Sequence, residues 1–164
     1  MVTACDKTIS LWDLVSLQNV ATLKGHKDEI RTLHVWNDML ISGGKGSGTN
    51  PSILFWDLRS TSPVEEKEKN QEVFSLATHN GILYYGNRNH QVRRLDLSNM
   101  ESLAPFEPPH FDVVTSLSIV RDNLVSGSRD KNLRLWSLDH PINNLRSTSY
   151  AHQDWINVTE STIL

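Results

Sequence analysis

One cysteine, Cys5, is all the thiol chemistry in 164 residues. It excludes an intramolecular disulfide and any multi-cysteine metal site, and it fits a reducing compartment. Long apolar runs are also lacking. Hydrophobic residues make up 38% of the chain, enough to bury a core, but no stretch approaches a membrane-spanning segment, so no membrane insertion is expected. There is no excess of positive charge either: 16 basic residues stand against 19 acidic ones, a net charge of -3. Without a basic field to neutralise a phosphate backbone, nucleic acid is not an expected partner. The start, Met1 to Ser10, carries Asp6 and Lys7 where a signal peptide would be apolar, which predicts an intracellular, cytoplasmic location. Asn157-Val158-Thr159 matches a glycosylation acceptor, and without a secretion signal it reads as a chance match.

What the chain does have is a repeat. Asp6-Lys7-Thr8-Ile9-Ser10-Leu11-Trp12-Asp13-Leu14 lines up with Asp130-Lys131-Asn132-Leu133-Arg134-Leu135-Trp136-Ser137-Leu138, Asp on Asp and Trp on Trp. Ile53 to Leu58 and Val92 to Leu97 fill the same slot. Positions 12, 56, 95 and 136 lie 44, 39 and 41 residues apart, a spacing that fits propeller blades and not leucine-rich or ankyrin repeats. Within each copy, short stretches alternate at period two, as in Thr115 to Ile119 and Asn132 to Trp136, with turn residues such as Asp122-Asn123 and Ser128-Arg129-Asp130 between them. No window of eleven or more residues has helical periodicity, and the loops hold most of the glycine and proline. The fold is predicted to be all-β.

These residues resemble the WD-repeat family, whose fold is a β-propeller of four-stranded antiparallel blades. The likeness rests on Gly25-His26 about thirty residues before Trp56-Asp57, and on Leu124-Val125-Ser126-Gly127-Ser128-Arg129-Asp130 before Trp136. The resemblance implies a buried, hydrogen-bonded tetrad of His110, Ser126, Asp130 and Trp136. Elementary physics asks for the same thing, because a buried carboxylate, imidazole and indole are tolerated only with partners. Partial tetrads are expected at His26, Ser42 and Trp56, at Asp6 and Trp12, and at His152. The second copy rewrites its turn as Gly43 to Pro51, about four residues longer and without the Asp, which predicts a flexible loop. The third puts Tyr85, Asn89 and Leu95 in place of Ser, Asp and Trp and must rely on apolar packing.

The repeat units are placed at 1–24, 25–69, 70–108 and 109–150 of one propeller spanning 1–164, with the start of a further unit at 151–164. Leu164 followed by Met1 to Asp6 aligns with Leu124 to Asp130, and counted around that join Trp136 and Trp12 are 40 residues apart. Either the ends complement each other in a small ring, or the chain is a piece of a larger ring of about seven blades; the second is the favoured expectation. More locally, Phe106 to Asp112, Asp122 to Asp130 and Ala151 to Trp155 resemble the tail propeller of kinesin-4-class motors. That likeness implies a cargo, adaptor or microtubule-binding module.

Seven histidines invite a metal reading, but His26, His110 and His152 sit at the repeat position, and His34, His79, His90 and His140 are too scattered for a ligand cluster. No metal and no cofactor are expected. Gly43 to Thr49 lacks the Gly-Lys-Ser/Thr order and the following helix of a phosphate loop, and no Gly-x-Ser-x-Gly elbow supports a Ser-His-Asp triad. No catalytic residue is assigned. Glu65 to Lys69 reads as a solvated face or as a contact for a basic partner. Phe111, after the prolines at 105, 108 and 109, either packs between blades or anchors a partner. The predicted function is therefore a protein-interaction scaffold, with tubulin or a motor's cargo adaptor as partner and substrate recognition in a ubiquitin ligase as the alternative. The resemblance places the residue before the turn Asp on the loop-rich face, which nominates Arg129, with Lys45 and Trp155, for an acidic partner.

Overall fold

The alternation becomes fifteen strands and no helix among the described residues. The computed structural model describes residues 1–59, 62–139, 144–148 and 151–159. They fall into two compact units, residues 1–73 and residues 74–164.

The first unit holds two meandering sheets. One is three-stranded: β1 (Val2–Cys5), β2 (Thr8–Trp12) and β3 (Asn19–Lys24), hydrogen-bonded in that order. The other is four-stranded, β4 (Ile30–Trp36), β5 (Met39–Gly44), β6 (Pro51–Asp57) and β7 (Pro63–Lys69). Ile9, Leu23, Ile30, Leu40, Leu54 and Trp56 form one buried cluster in this unit.

The third sheet runs β8 (Val73–His79), β9 (Ile82–Asn87), β10 (Val92–Asp96) and β11 (Glu101–Leu103), beginning at the unit boundary. The fourth runs β12 (Val114–Val120), β13 (Asn123–Ser128), β14 (Leu133–Ser137) and β15 (Asn144–Thr148). Tyr84, Val92, Phe106, Val114, Leu124 and Trp136 belong to the core of the second unit. Phe106 carries that core, with its ring centroid 6.0 Å from Tyr84 and 4.9 Å from Trp136. Polar residues close the hairpins where the chain must turn left-handed: Asn37 has φ 51° and Asn80-Gly81 has φ 49° and 75°, the geometry that two-residue hairpins favour.

The repeat has a physical pitch. A Cβ on Gly43 would stand 2.8 Å from Val73 Cγ1, one on Gly86 2.7 Å from Val114 Cγ1, and one on Gly127 2.6 Å from Ile156 Cγ2. In each case a glycine opens the space that an apolar side chain some thirty residues later fills. Ile156 is buried in this way, although residues 151–159 form no strand. The bulges recur as well: the register shifts at Leu11/Trp12, Phe55/Trp56 and Leu135/Trp136, so the outer strand gains a residue opposite each tryptophan.

The alignment of Met1 to Asp6 with Val125 to Asp130 needs a correction of one residue. Four residues separate the Ala4–Ile9 pair of β1 and β2, whereas five separate the equivalent Gly127–Leu133 pair. Because the turn is shorter, Thr3 and not Val2 comes to the position of Ser126.

Candidate functional site

At the centre of the fourth sheet lies a chain of four polar side chains. Asp130 follows β13, Ser126 is on β13, Trp136 is on β14, and His110 comes from the segment before β12. His110 Nδ1 is 2.8 Å from Asp130 Oδ2, His110 Nε2 is 2.7 Å from Ser126 Oγ, and Trp136 Nε1 donates to Ser126 Oγ at 2.8 Å. These distances assign a neutral imidazole that donates from Nδ1 to the carboxylate and accepts the Ser126 hydroxyl at Nε2. Burial holds the His110 imidazole below its usual range, against the pull of Asp130. Burial would raise the Asp130 carboxyl, but the backbone N–H of Phe111, the imidazole and the N–H of Asn132 outweigh it, and the group stays below its usual range.

Ser126, His110 and Asp130 thus have the order and spacing of a nucleophilic triad, yet the environment removes the nucleophile. Ser126 is fully buried, and its oxygen already accepts the Trp136 indole N–H. No substrate carbonyl reaches such a hydroxyl.

The second sheet repeats three members. His26 Nε2 lies 2.7 Å from Ser42 Oγ and Trp56 Nε1 donates to the same oxygen at 2.8 Å. No Asp follows, so His26 Nδ1 is buried without a partner, and burial drives the imidazole pKa from 6.5 to about 4. The long turn after Ser42 is pinned, contrary to the expectation of a flexible loop. Asp28 Oδ2 accepts from Ser47 N at 3.0 Å and Asn50 Nδ2 at 2.9 Å, and Gly46 N donates to Gln71 O at 2.7 Å. Asp28 was not singled out in the sequence, although an acid two residues after the repeat histidine is the only local signal for it.

In the first sheet Trp12 Nε1 donates to Thr3 Oγ1 at 2.7 Å. Asp6 joins no tetrad: it is an exposed turn residue with φ 51° whose carbonyl accepts from Ile30 N at 2.8 Å. Among the described residues this sheet has three strands. His152 is exposed and meets none of the other tetrad residues, because no sheet encloses it among the described residues. In the third sheet Tyr85 is fully buried and Asn89 exposed. Among the remaining histidines, His79 Nε2 stands 3.6 Å from Asp122 Oδ1, and His140 lies outside the described residues. No group of three or more His, Cys, Asp or Glu converges among the described residues.

The nominated contact residues sit as follows. Lys45 is exposed in the first unit, its N–H donating to Glu29 O at 2.9 Å. In the second unit Arg129 is half-buried with Cζ 4.6 Å from the Trp155 ring centroid and 5.7 Å from that of Phe74. Trp155 is 53% and Phe111 79% exposed, so neither packs away between sheets. Phe111 is nevertheless fixed, because its N–H donates to Asp130 Oδ2 at 2.9 Å and Arg134 Cζ sits 5.7 Å from its ring. A depression of about 320 Å³ in the first unit is lined by Asn37, Asp38, Asp57, Leu58 and Arg59. Its one cation, Arg59, is already paired with Asp57 at 2.9 Å.

A family model for the WD domain, G-beta repeat, matches residues 17–57 and 100–137. The chain belongs to the WD-repeat family. Across 82% of its length this WD-repeat chain is 31% identical over 138 residues to mitochondrial division protein 1 of Neurospora crassa, of which it covers 19%. It is 25% identical over 158 residues to the human kinesin-like protein KIF21A, with 93% of the chain and 7% of that protein covered. To human KIF21B it is 23% identical over 223 residues, with 92% and 14% covered. The chain therefore spans about a fifth or less of these relatives, and the likeness to kinesin-like proteins extends well beyond residues 106–155. The strand order of its sheets is that of WD blades, the architecture of protein-interaction propellers.

Proposed function

We propose that this WD-repeat chain is a non-catalytic protein-interaction module that binds an acidic protein surface, with tubulin as the partner, as part of a kinesin-like protein at the cytoskeleton. The observation that carries the reading is Arg129 against the half-exposed Trp155, a cation and an aromatic anchor of the kind that dominates interface energies. The buried state of Ser126 speaks against acyl-transfer chemistry, and the similarity to KIF21A and KIF21B supports the kinesin-like context. The test is co-sedimentation of the purified chain with polymerised tubulin at low and physiological salt. Binding that weakens with salt is expected, and a chain left in the supernatant at both salts overturns the reading.

The 31% identity to mitochondrial division protein 1 supports a second reading, an interaction module acting in mitochondrial division. A tagged chain that decorates mitochondria and ignores microtubules selects it.

A further inference from the structure

We infer that Arg129 captures a single carboxylate end-on, through its two terminal amino groups, and that the site disfavours phosphate. The inference rests on the reading of this loop end as a partner-binding surface. Its starting point is an electrostatic imbalance. Arg31 pairs with Glu29 and Glu72, and Arg59 with Asp57. Arg129 pairs with no carboxylate among the described residues, although acids surround it in sequence.

Those acids are consumed by N–H donors. Asp130 takes the imidazole of His110 and the backbone N–H groups of Phe111 and Asn132. Asp112 Oδ1 accepts from Val113 N at 2.6 Å and Asp154 Oδ1 from Trp155 N at 2.7 Å. The nearest other cation in sequence, Lys131, spends its ammonium on Gln153 O at 2.8 Å. Among the described residues the Arg129 guanidinium is left facing the two rings without a carboxylate partner.

The geometry then selects the ligand. The Arg129 N–H donates to Val113 O at 3.0 Å, which fixes the backbone. Its Nε is buried without a partner, so the side-on fork made of Nε and one amino group is closed, and the exposed part of the half-buried side chain is the end-on fork. A carboxylate is planar and meets that fork with two parallel N–H···O bonds. The Trp155 and Phe74 rings beside Cζ restrict the approach and favour an acceptor lying flat in the guanidinium plane. A tetrahedral phosphate dianion projects oxygens out of that plane, carries a heavier desolvation cost beside apolar rings, and asks for a second free cation that Lys131 does not supply.

The experiment uses three dye-labelled peptides: a glycine-flanked triglutamate, a phosphoserine peptide of matched charge, and a triglutamine control. Fluorescence anisotropy follows each with the 1–164 chain and with Arg129→Lys, which keeps the charge and loses the fork. The triglutamate peptide should bind at least about fivefold tighter than the phosphopeptide, and Arg129→Lys should weaken it about tenfold with an unchanged thermal melt. Binding by Arg129→Lys within twofold of the parent, a tighter phosphopeptide, or no triglutamate binding overturns the inference. If the chain still co-sediments with microtubules in any of those cases, the carboxylate assignment alone falls; if it does not, the proposed function falls with it.

Discussion

The Asp130 carboxylate and the His110 imidazole meet at 2.8 Å, and the same acid closes two loops. Its Oδ2 also holds Phe111 N, at the entry to β12, while Oδ1 takes Asn132 N at 2.9 Å in the turn before β14. Asp130→Ala should destabilise the chain by roughly 2 to 4 kcal/mol, because three N–H donors lose their acceptor in a mostly buried place. Asn89 occupies the corresponding turn of the third sheet but is exposed, so Asn89→Ala should cost much less. Denaturant melts of the two variants decide, and equal losses would remove the central role of Asp130.

His26 gives a pH signature. Burial depresses its pKa from 6.5 to about 4, so between those values the unfolded chain takes up a proton that the folded chain refuses. Stability is therefore full above pH 6.5 and falls as the pH drops toward 4. At about 1.4 kcal/mol per unit the loss reaches up to about 3 kcal/mol. His110, depressed in the same direction, adds to the slope. His26→Gln should flatten much of the decline in melts taken from pH 7 to pH 4, and an unchanged profile would show that His26 is not held neutral.

Repeats were legible because period and turn chemistry are local: Trp12, Trp56 and Trp136 and the Asp-Lys turns mark the strands from sequence alone. Lost to the sequence were effects of length and of distance. The two-residue Asp6-Lys7 turn shifts the acceptor to Thr3, a one-residue step that an alignment on Asp and Trp conceals. Asp28 pins the 45–50 loop from nineteen and more residues away. Phe74 reaches Arg129 through the packing of β8, which no spacing within one repeat encodes. Gly43, Gly86 and Gly127, 43 and 41 residues apart, carried a signal that was open to reading, a small residue at a fixed repeat position.

Gly127→Ala tests that last point. The added methyl would fall 2.6 Å from both Ile156 Cγ2 and Ser116 Oγ, and overpacking of this kind costs about 1 to 3 kcal/mol. Gly81→Ala meets nothing within 4 Å but has φ 75°, so its cost of about 1 kcal/mol would come from backbone strain alone. Pairing Gly127→Ala with Ile156→Ala separates the causes. If the clash is with Ile156, the double variant loses less than the sum of the single losses, and strict additivity refutes the contact.

The charge of the loop residues gives the last prediction. Arg129 is half-buried beside two rings, whereas Lys45 is exposed, and solvent screens the second charge far more than the first. Net charge does not decide the outcome, because at physiological salt only charges within about 8 Å of the contact act at full strength. Arg129→Glu should weaken microtubule co-sedimentation by about tenfold or more at both low and physiological salt, since it replaces an anchored attraction by a repulsion at close range. Lys45→Glu should weaken it by about two- to threefold at low salt and scarcely at all at physiological salt. Thermal melts of both variants guard against misfolding, and Trp155→Ala supplies an uncharged check that should lose affinity at either salt. If Arg129→Glu binds as the parent does at both salts, the surface around Arg129 is not where the partner sits; if Lys45→Glu has the larger effect, the contact belongs to the first unit.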